Sequence, residues 1–159
     1  MKLVLRALGA IVVLLVLAAA VVYVRGEPIG PLPGRHLHGT LVTQPVTDWS
    51  FVNHPGICQI EVDSDPPRAV NIGCFGDQKY LYVSHNILPN HRPSWAELLA
   101  LSPTGRIRYG TNLYPVKAIR ISDQTDRQRI WTQRNVALNH PNPDSHVPDN
   151  LLMFELVSR

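Results

Sequence analysis

The chain has 159 residues, a formal net charge of +3, 45% hydrophobic and 17% charged residues, and two cysteines. That length gives one domain with appendages, and the apolar content is that of a folded protein rather than a disordered one. The small positive surplus sits in no recognised nucleic-acid module, so no nucleic-acid partner is expected.

Taken in chain order, a short flank (residues 1–6) carries Lys2 and Arg6 and leads into a charge-free run, residues 7–24, "ALGAIVVLLVLAAAVVYV". At the helical rise, such a run spans about 27 Å, just enough for a hydrocarbon core. Ala18-Ala19-Ala20 could serve as a signal-peptide cleavage site. The run continues, however, through Val21, Val22, Tyr23 and Val24, and Tyr23 sits where an interfacial aromatic belongs. The expectation is an uncleaved, single-pass transmembrane anchor with the lipid bilayer as partner. Lys2, Arg6 and the amino terminus outweigh Arg25, which Glu27 offsets, so the C-terminal domain is expected to be extracytoplasmic.

Residues 25–35, "RGEPIGPLPGR", hold three Pro and three Gly and read as a semi-extended tether. The globular domain then covers residues 36–159. Near its start, Asp48-Trp49-Ser50-Phe51 precedes the second long strand, where the first must bend to close a barrel. Asp48 is expected to cap a bend while Trp49 and Phe51 cover a barrel end, the alternative being a pocket rim at a dimer cleft.

"ICQIEVD" and "RAVNIGC" alternate with period two around the turn residues "SDPP". Pairing Val62 with Val70, Ile60 with Ile72 and Cys58 with Cys74 holds one register and puts all six on one face. Cys58 and Cys74 then form a disulfide in an oxidising compartment or remain two small buried thiols; both readings are open. Neither has the surroundings of an activated thiolate.

A strand "KYLYVS" (79–84) follows. Ser94 with Glu97 makes a capping box for a short helix "WAELLAL" that ends before Pro103. "GRIRYGTNLYPVKAIRIS" reads as a hairpin turning at Gly110-Thr111-Asn112. Asp123 caps a second helix with Asp126 in its first turn, Arg134 in its last, and a narrow apolar stripe at Ile130 and Trp131. Residues 139–150 form a loop, and "LLMFELV" a last strand. The whole is mainly β with two short helices, an antiparallel sheet closed into a barrel behind one transmembrane helix.

Between Arg92 and Arg134 eight Lys or Arg stand against three acids, either a solvated face or a site for a phosphate or anionic lipid head. The seven His are not at metal-ligand spacings, and no nucleophile elbow, P-loop or dinucleotide fingerprint is present.

The Arg-bearing strand "PPRAVNI", the aromatic strand ending near Ser84, the Pro-x-Trp helix start, the following hairpin and the Asp-capped helix together resemble the split β-barrel superfamily. That superfamily includes pyridoxamine phosphate oxidase-like and deazaflavin-dependent nitroreductase-like proteins. The front piece "GTLVTQPVTDWSF" is similar to uncharacterised relatives, and the resemblance spans about residues 38–157. It implies an oxidoreductase-like protein holding FMN or a deazaflavin coenzyme in the cleft of a homodimer. Arg68, Ser84, His85, Asn86, His91, Arg92 and Ser94 would surround the phosphate, and Trp95 would be either a ring-stacking wall or a core anchor. The stretched loop "SHNILPNHRPSW" and the acids Asp63 and Asp65 before Arg68 depart from the pattern. They leave Arg68 open to a surface ion pair instead. A cofactor made in the cytoplasm would also have to reach an external domain. Both points keep open a non-catalytic barrel that binds a ligand or partner without any cofactor.

Overall fold

The computed structural model describes residues 2–53, 57–89 and 92–159, and within the first helix the side chains of residues 6 and 9–21. The charge-free run lies inside one helix, α1 (Lys2–Arg25). Among the described residues no helix is long and apolar enough to cross a membrane. The structure therefore supports a helix at residues 7–24 and does not support the expected crossing.

The barrel consists of β1 (Thr40–Leu41), β2 (Cys58–Val62), β3 (Arg68–Ile72), β4 (Cys74–Gly76), β5 (Leu81–Asn86), β6 (Thr104–Tyr109), β7 (Asn112–Arg120) and β8 (Leu151–Ser158). Helix α2 (Trp95–Leu101) lies between β5 and β6, and α3 (Gln124–Ala137) between β7 and β8. The strands follow one path, β3-β2-β6-β7-β8-β5-β4, with β1 added in parallel to β7. The two ends of that path, β3 and β4, are separated in sequence by Gly73 alone. The sheet must therefore curve until its ends meet, and the barrel stays split along that line because β3 and β4 do not pair.

The expected hairpin forms, but its register is shifted by two residues. Val62 faces Arg68, Ile60 faces Val70, and Cys58 faces Ile72. The loop closes early because Ser64 turns back, its N–H donating to the Val62 carbonyl at 2.8 Å and its hydroxyl to that of Pro66 at 2.9 Å. A shift of two keeps every side chain on its face. Cys58, Ile60 and Val62 accordingly remain in the core, each fully buried. Cys74 has left the hairpin and opens β4, opposite Val83. It still reaches Cys58, and the two form a disulfide across a Cα separation of 6.0 Å.

Strand β5 starts later than expected, at Leu81. The Asp77 carboxylate accepts the N–H groups of Lys79 and Tyr80, both at 2.7 Å, which holds those two residues in a turn. Both helix starts match their signals. Ser94 and Glu97 form the reciprocal capping box of α2, and Asp123 caps α3 through the Asp126 N–H. Helix α2 buries Trp95, Ala96 and Leu99 in the main core with Ile60, Ile107 and Phe154. Helix α3 covers a second cluster through Ile130, packed near Phe75, Tyr82 and Met153, while Trp131 is only half-buried.

Asp48-Trp49-Ser50-Phe51 takes the structural reading. Asp48 accepts the Ser50 N–H at 2.9 Å and leads into a 3₁₀ turn over Ser50–Asn53. Trp49 is fully buried, edge-on to Tyr114 with ring centroids 5.3 Å apart. The Trp49 backbone N–H donates to the Asp77 carbonyl at 2.9 Å, which pins this turn beside β4.

The Pro/Gly-rich stretch is not the expected semi-extended tether. Ile29 and Leu32 exchange backbone hydrogen bonds at 3.1 and 3.0 Å around Gly30, whose φ is 54°. The Arg35 N–H donates back to the Gly26 carbonyl at 3.0 Å, so the chain forms a tight loop bonded along the outer edge of β3. Gly34 and Ala69 exchange both backbone hydrogen bonds, at 2.8 and 2.9 Å, and the Asn71 side chain donates to the Gly30 carbonyl at 2.8 Å. Gly34 has no room for a Cβ, which would strike the backbone of Gly26, Glu27 and Pro28. Glu61, only 4% exposed, accepts from the Leu37 N–H at 2.6 Å and from Arg106 at 2.5 Å. This strap also covers what would otherwise be an open sheet edge.

Candidate functional site

Two adjoining clefts lie beside the seam where the sheet ends meet. The first, of about 360 Å³, is bordered by Arg68, Ser84, His85, Ser94 and Trp95, with Asn71 and Gly73 on its sheet side. The second, of about 390 Å³, is bordered by Arg68 and Arg92, with Arg35 from the strap. Arg68 and Pro33 belong to both.

Arg68 opens β3, and one of its guanidinium nitrogens donates to the Pro93 carbonyl at 2.8 Å. Its Nε is buried without a hydrogen-bond partner in the structure. Among the described residues it forms no ion pair, so the expected alternative, pairing to Asp63 or Asp65, is not what the fold makes of it. A buried guanidinium nitrogen with no acceptor costs free energy until one is supplied.

Ser84 and His85 sit on β5 opposite Met153 and Leu152. Burial is the main influence on the His85 imidazole and lowers its pKa from the ordinary 6.5; the Glu97 carboxylate pulls it up and Arg68 pushes it down. His85 is thus held in its neutral form near pH 7. Its ring stands 5.5 Å from that of Trp95.

Ser94 accepts the Glu97 N–H at 3.3 Å, while the Glu97 carboxylate accepts the Ser94 N–H at 2.7 Å and is held below the usual carboxylate range by those bonds. The Ser94 hydroxyl hydrogen already has an acceptor in the Glu97 carboxylate. Trp95 is 5% exposed and belongs to the main core, bordering the cleft without offering an open ring face.

Arg92 is exposed and borders the second cleft, away from Ser84. Asn86 is exposed at the end of β5, and His91 lies outside the described residues. The basic run between Arg92 and Arg134 is dispersed. Arg106 pairs with Glu61, Arg108 with Glu27, and Arg129 with Asp126. Arg127 donates to the carbonyls of Pro148 and Leu151.

Sequence reasoning missed Arg35, Pro31 and Pro33, which the strap brings to the clefts. Their signal was "PLPGR": two prolines restrict the chain's course beside an edge strand, and the glycine that follows them permits close approach.

No protein-family model matches the chain, and no curated protein matches it. Solved structures do resemble it. A Listeria innocua protein provisionally assigned as a pyridoxamine 5′-phosphate oxidase is 16% identical, with a TM-score of 0.52 over 68% of this chain and 87% of that one. A Mesorhizobium loti FAD-binding protein is 10% identical over 68% of this chain and 82% of its own, TM-score 0.49. An F420 reductase is 12% identical over 73% and 96%, TM-score 0.45. These last two likenesses are too loose to carry an argument. Strand order, seam and the Listeria likeness agree on the fold, a split β-barrel.

Proposed function

We propose that this split barrel is an oxidoreductase-like protein that binds a flavin or deazaflavin coenzyme in the first cleft. The observation that supports it is the convergence there of Arg68, Ser84, His85, Ser94 and Trp95, residues spread over two strands and a helix start. The residues fit a phosphate-bearing ligand. Arg68 has a buried Nε lacking an acceptor, and the Ser84 hydroxyl can donate to the same anion. Neutral His85 adds a hydrogen-bonding edge without placing a second charge beside Arg68. The bound coenzyme would supply the hydride chemistry, and this chain would supply binding and orientation.

A second reading, a non-catalytic barrel that takes a smaller ligand, draws on Pro31 and Pro33, which border the same cleft. A homodimer and an extracytoplasmic, membrane-tethered domain belong to the first proposal as its assembly and location. They rest on the fold resemblance and on the charge-free run within α1. Light scattering tests the dimer, and alkaline carbonate extraction tests the tether.

The deciding experiment titrates the full chain with flavin mononucleotide and, separately, a deazaflavin, following absorbance. Saturable binding weakened at least tenfold by Arg68→Ala supports the coenzyme reading. Binding of neither at tens of micromolar favours the non-catalytic one.

A further inference from the structure

The second cleft has a chemistry of its own. Three guanidinium groups border it, from Arg35 on the strap, Arg68 on β3 and Arg92 before α2, against one carboxylate, the exposed Asp65. Among the described residues none of the three arginines is in an ion pair. Like charges brought together on three separate segments repel one another, and a bound anion relieves that repulsion. Beside Ser64 and Gly34, the rest of the wall is apolar and stiff: Pro33, Pro66, Pro67 and Pro93 with the partly buried Leu98. Four prolines hold their backbone in place without adding polar hydrogens, so the surface is preorganised for an apolar body.

We propose that this cleft binds an amphiphilic oxyanion, a carboxylate or phosphate monoester carrying an apolar body, with Arg35 and Arg92 gripping the head group. A planar guanidinium matches either oxyanion through paired N–H donors. Arg35 and Arg92 do not border the first cleft, so the inference stands apart from the coenzyme reading. The ligand's source is a free metabolite or a lipid whose head group enters the cleft.

Isothermal titration of the full chain with hexyl phosphate, inorganic phosphate and hexanol tests it. Hexyl phosphate should saturate and bind at least tenfold more tightly than either of the other two. Arg35→Ala and Arg92→Ala should each weaken that binding at least tenfold, and Arg35→Lys less than Arg35→Ala, since charge is kept and the fork is lost. Arg120→Ala, an exposed arginine on β7 outside the cleft, should leave it unchanged. The Arg35 side chain bonds to nothing in the fold among the described residues, so circular dichroism melts of its variants should match the parent.

Dihexanoyl phosphatidic acid, soluble as a monomer, separates the sources: tighter binding than hexyl phosphate indicates a lipid head group, weaker binding a free metabolite, and either upholds the cleft. Three results overturn the proposal: no saturation, equal affinity for hexanol, or equal weakening by Arg120→Ala. Saturable hexyl phosphate binding without flavin binding would leave this inference standing and remove the coenzyme reading. Flavin binding alone would do the reverse.

Discussion

Trp49 and His85 show two ways in which single residues of this chain can be tested. Trp49 is fully buried between Phe51, 5.8 Å away by ring centroids, and Tyr114. Trp49→Ala removes a large core side chain and leaves a cavity, at a cost of about 3–5 kcal/mol. The melting temperature should fall by about 10 °C or more; a shift of a degree or two would mean that the barrel end is not closed by this ring. His85 tests the first cleft. Its pKa is lowered on folding, chiefly by burial, so the unfolded chain binds a proton more readily. The contribution of His85 to stability should therefore be level above about pH 6.5 and decline as pH falls below it. Melting scans from pH 5 to 8 should show the parent losing stability relative to His85→Gln as pH falls below about 6.5. Equal slopes would mean that His85 is more exposed than the cleft allows.

At the scale of elements, local signals were legible and long-range ones were not. The caps at Ser94 and Asp123 lie within a few residues of the groups they satisfy, so the sequence displays them directly. Alternation placed Cys58, Ile60 and Val62 in the core. It could not choose between registers two residues apart, because an even shift preserves every face. The deciding contact, Ser64 folding back onto Val62 and Pro66, is loop geometry with no periodic trace. The site residues after β5 were legible as polar groups flanking a capped helix, whereas Arg35 was hidden because composition excludes a regular element from a Pro/Gly stretch without saying how it folds back or what it lies against.

Strand β8 carries a testable consequence of its own neighbours. Glu155 lies opposite Tyr82 and Ile119. Burial raises its pKa above 4.5, with Asp126 and Asp77 adding to the rise and Lys79 and Arg129 opposing it. The folded state therefore holds the proton more tightly than the unfolded one. Stability falls as pH rises from about 4.5 through the raised value. Glu155→Gln should raise the melting temperature at pH 7 and lose that gain at pH 4. A gain that persists at pH 4 would trace to packing instead.

For the whole molecule, the question is what keeps a split barrel shut. The disulfide joins β2 to β4 across 16 residues of chain, and closing a loop of that size stabilises by about 3 kcal/mol on the chain-entropy account. The strap works along the other edge, and its anchor is Glu61. That carboxylate is 4% exposed and receives the Leu37 N–H, Arg106 and, at 3.4 Å, the His36 ring. Glu61→Ala leaves these donors facing a hole and should cost about 3 kcal/mol or more, as breaking a buried pair does. Glu61→Gln keeps the shape while losing the charge that holds Arg106. The consequence for the site is measurable with trypsin. A docked strap shields the Arg35–His36 bond, because Arg35 donates its N–H to Gly26 and its neighbour Gly34 pairs with Ala69. Cleavage there should be slow in the parent, faster in Glu61→Gln, and unchanged in a control such as Asp63→Asn on the exposed loop. If the parent is cut at Arg35 as quickly as Glu61→Gln, the strap is a free tether after all. The second cleft would then lose the wall that brings its third arginine.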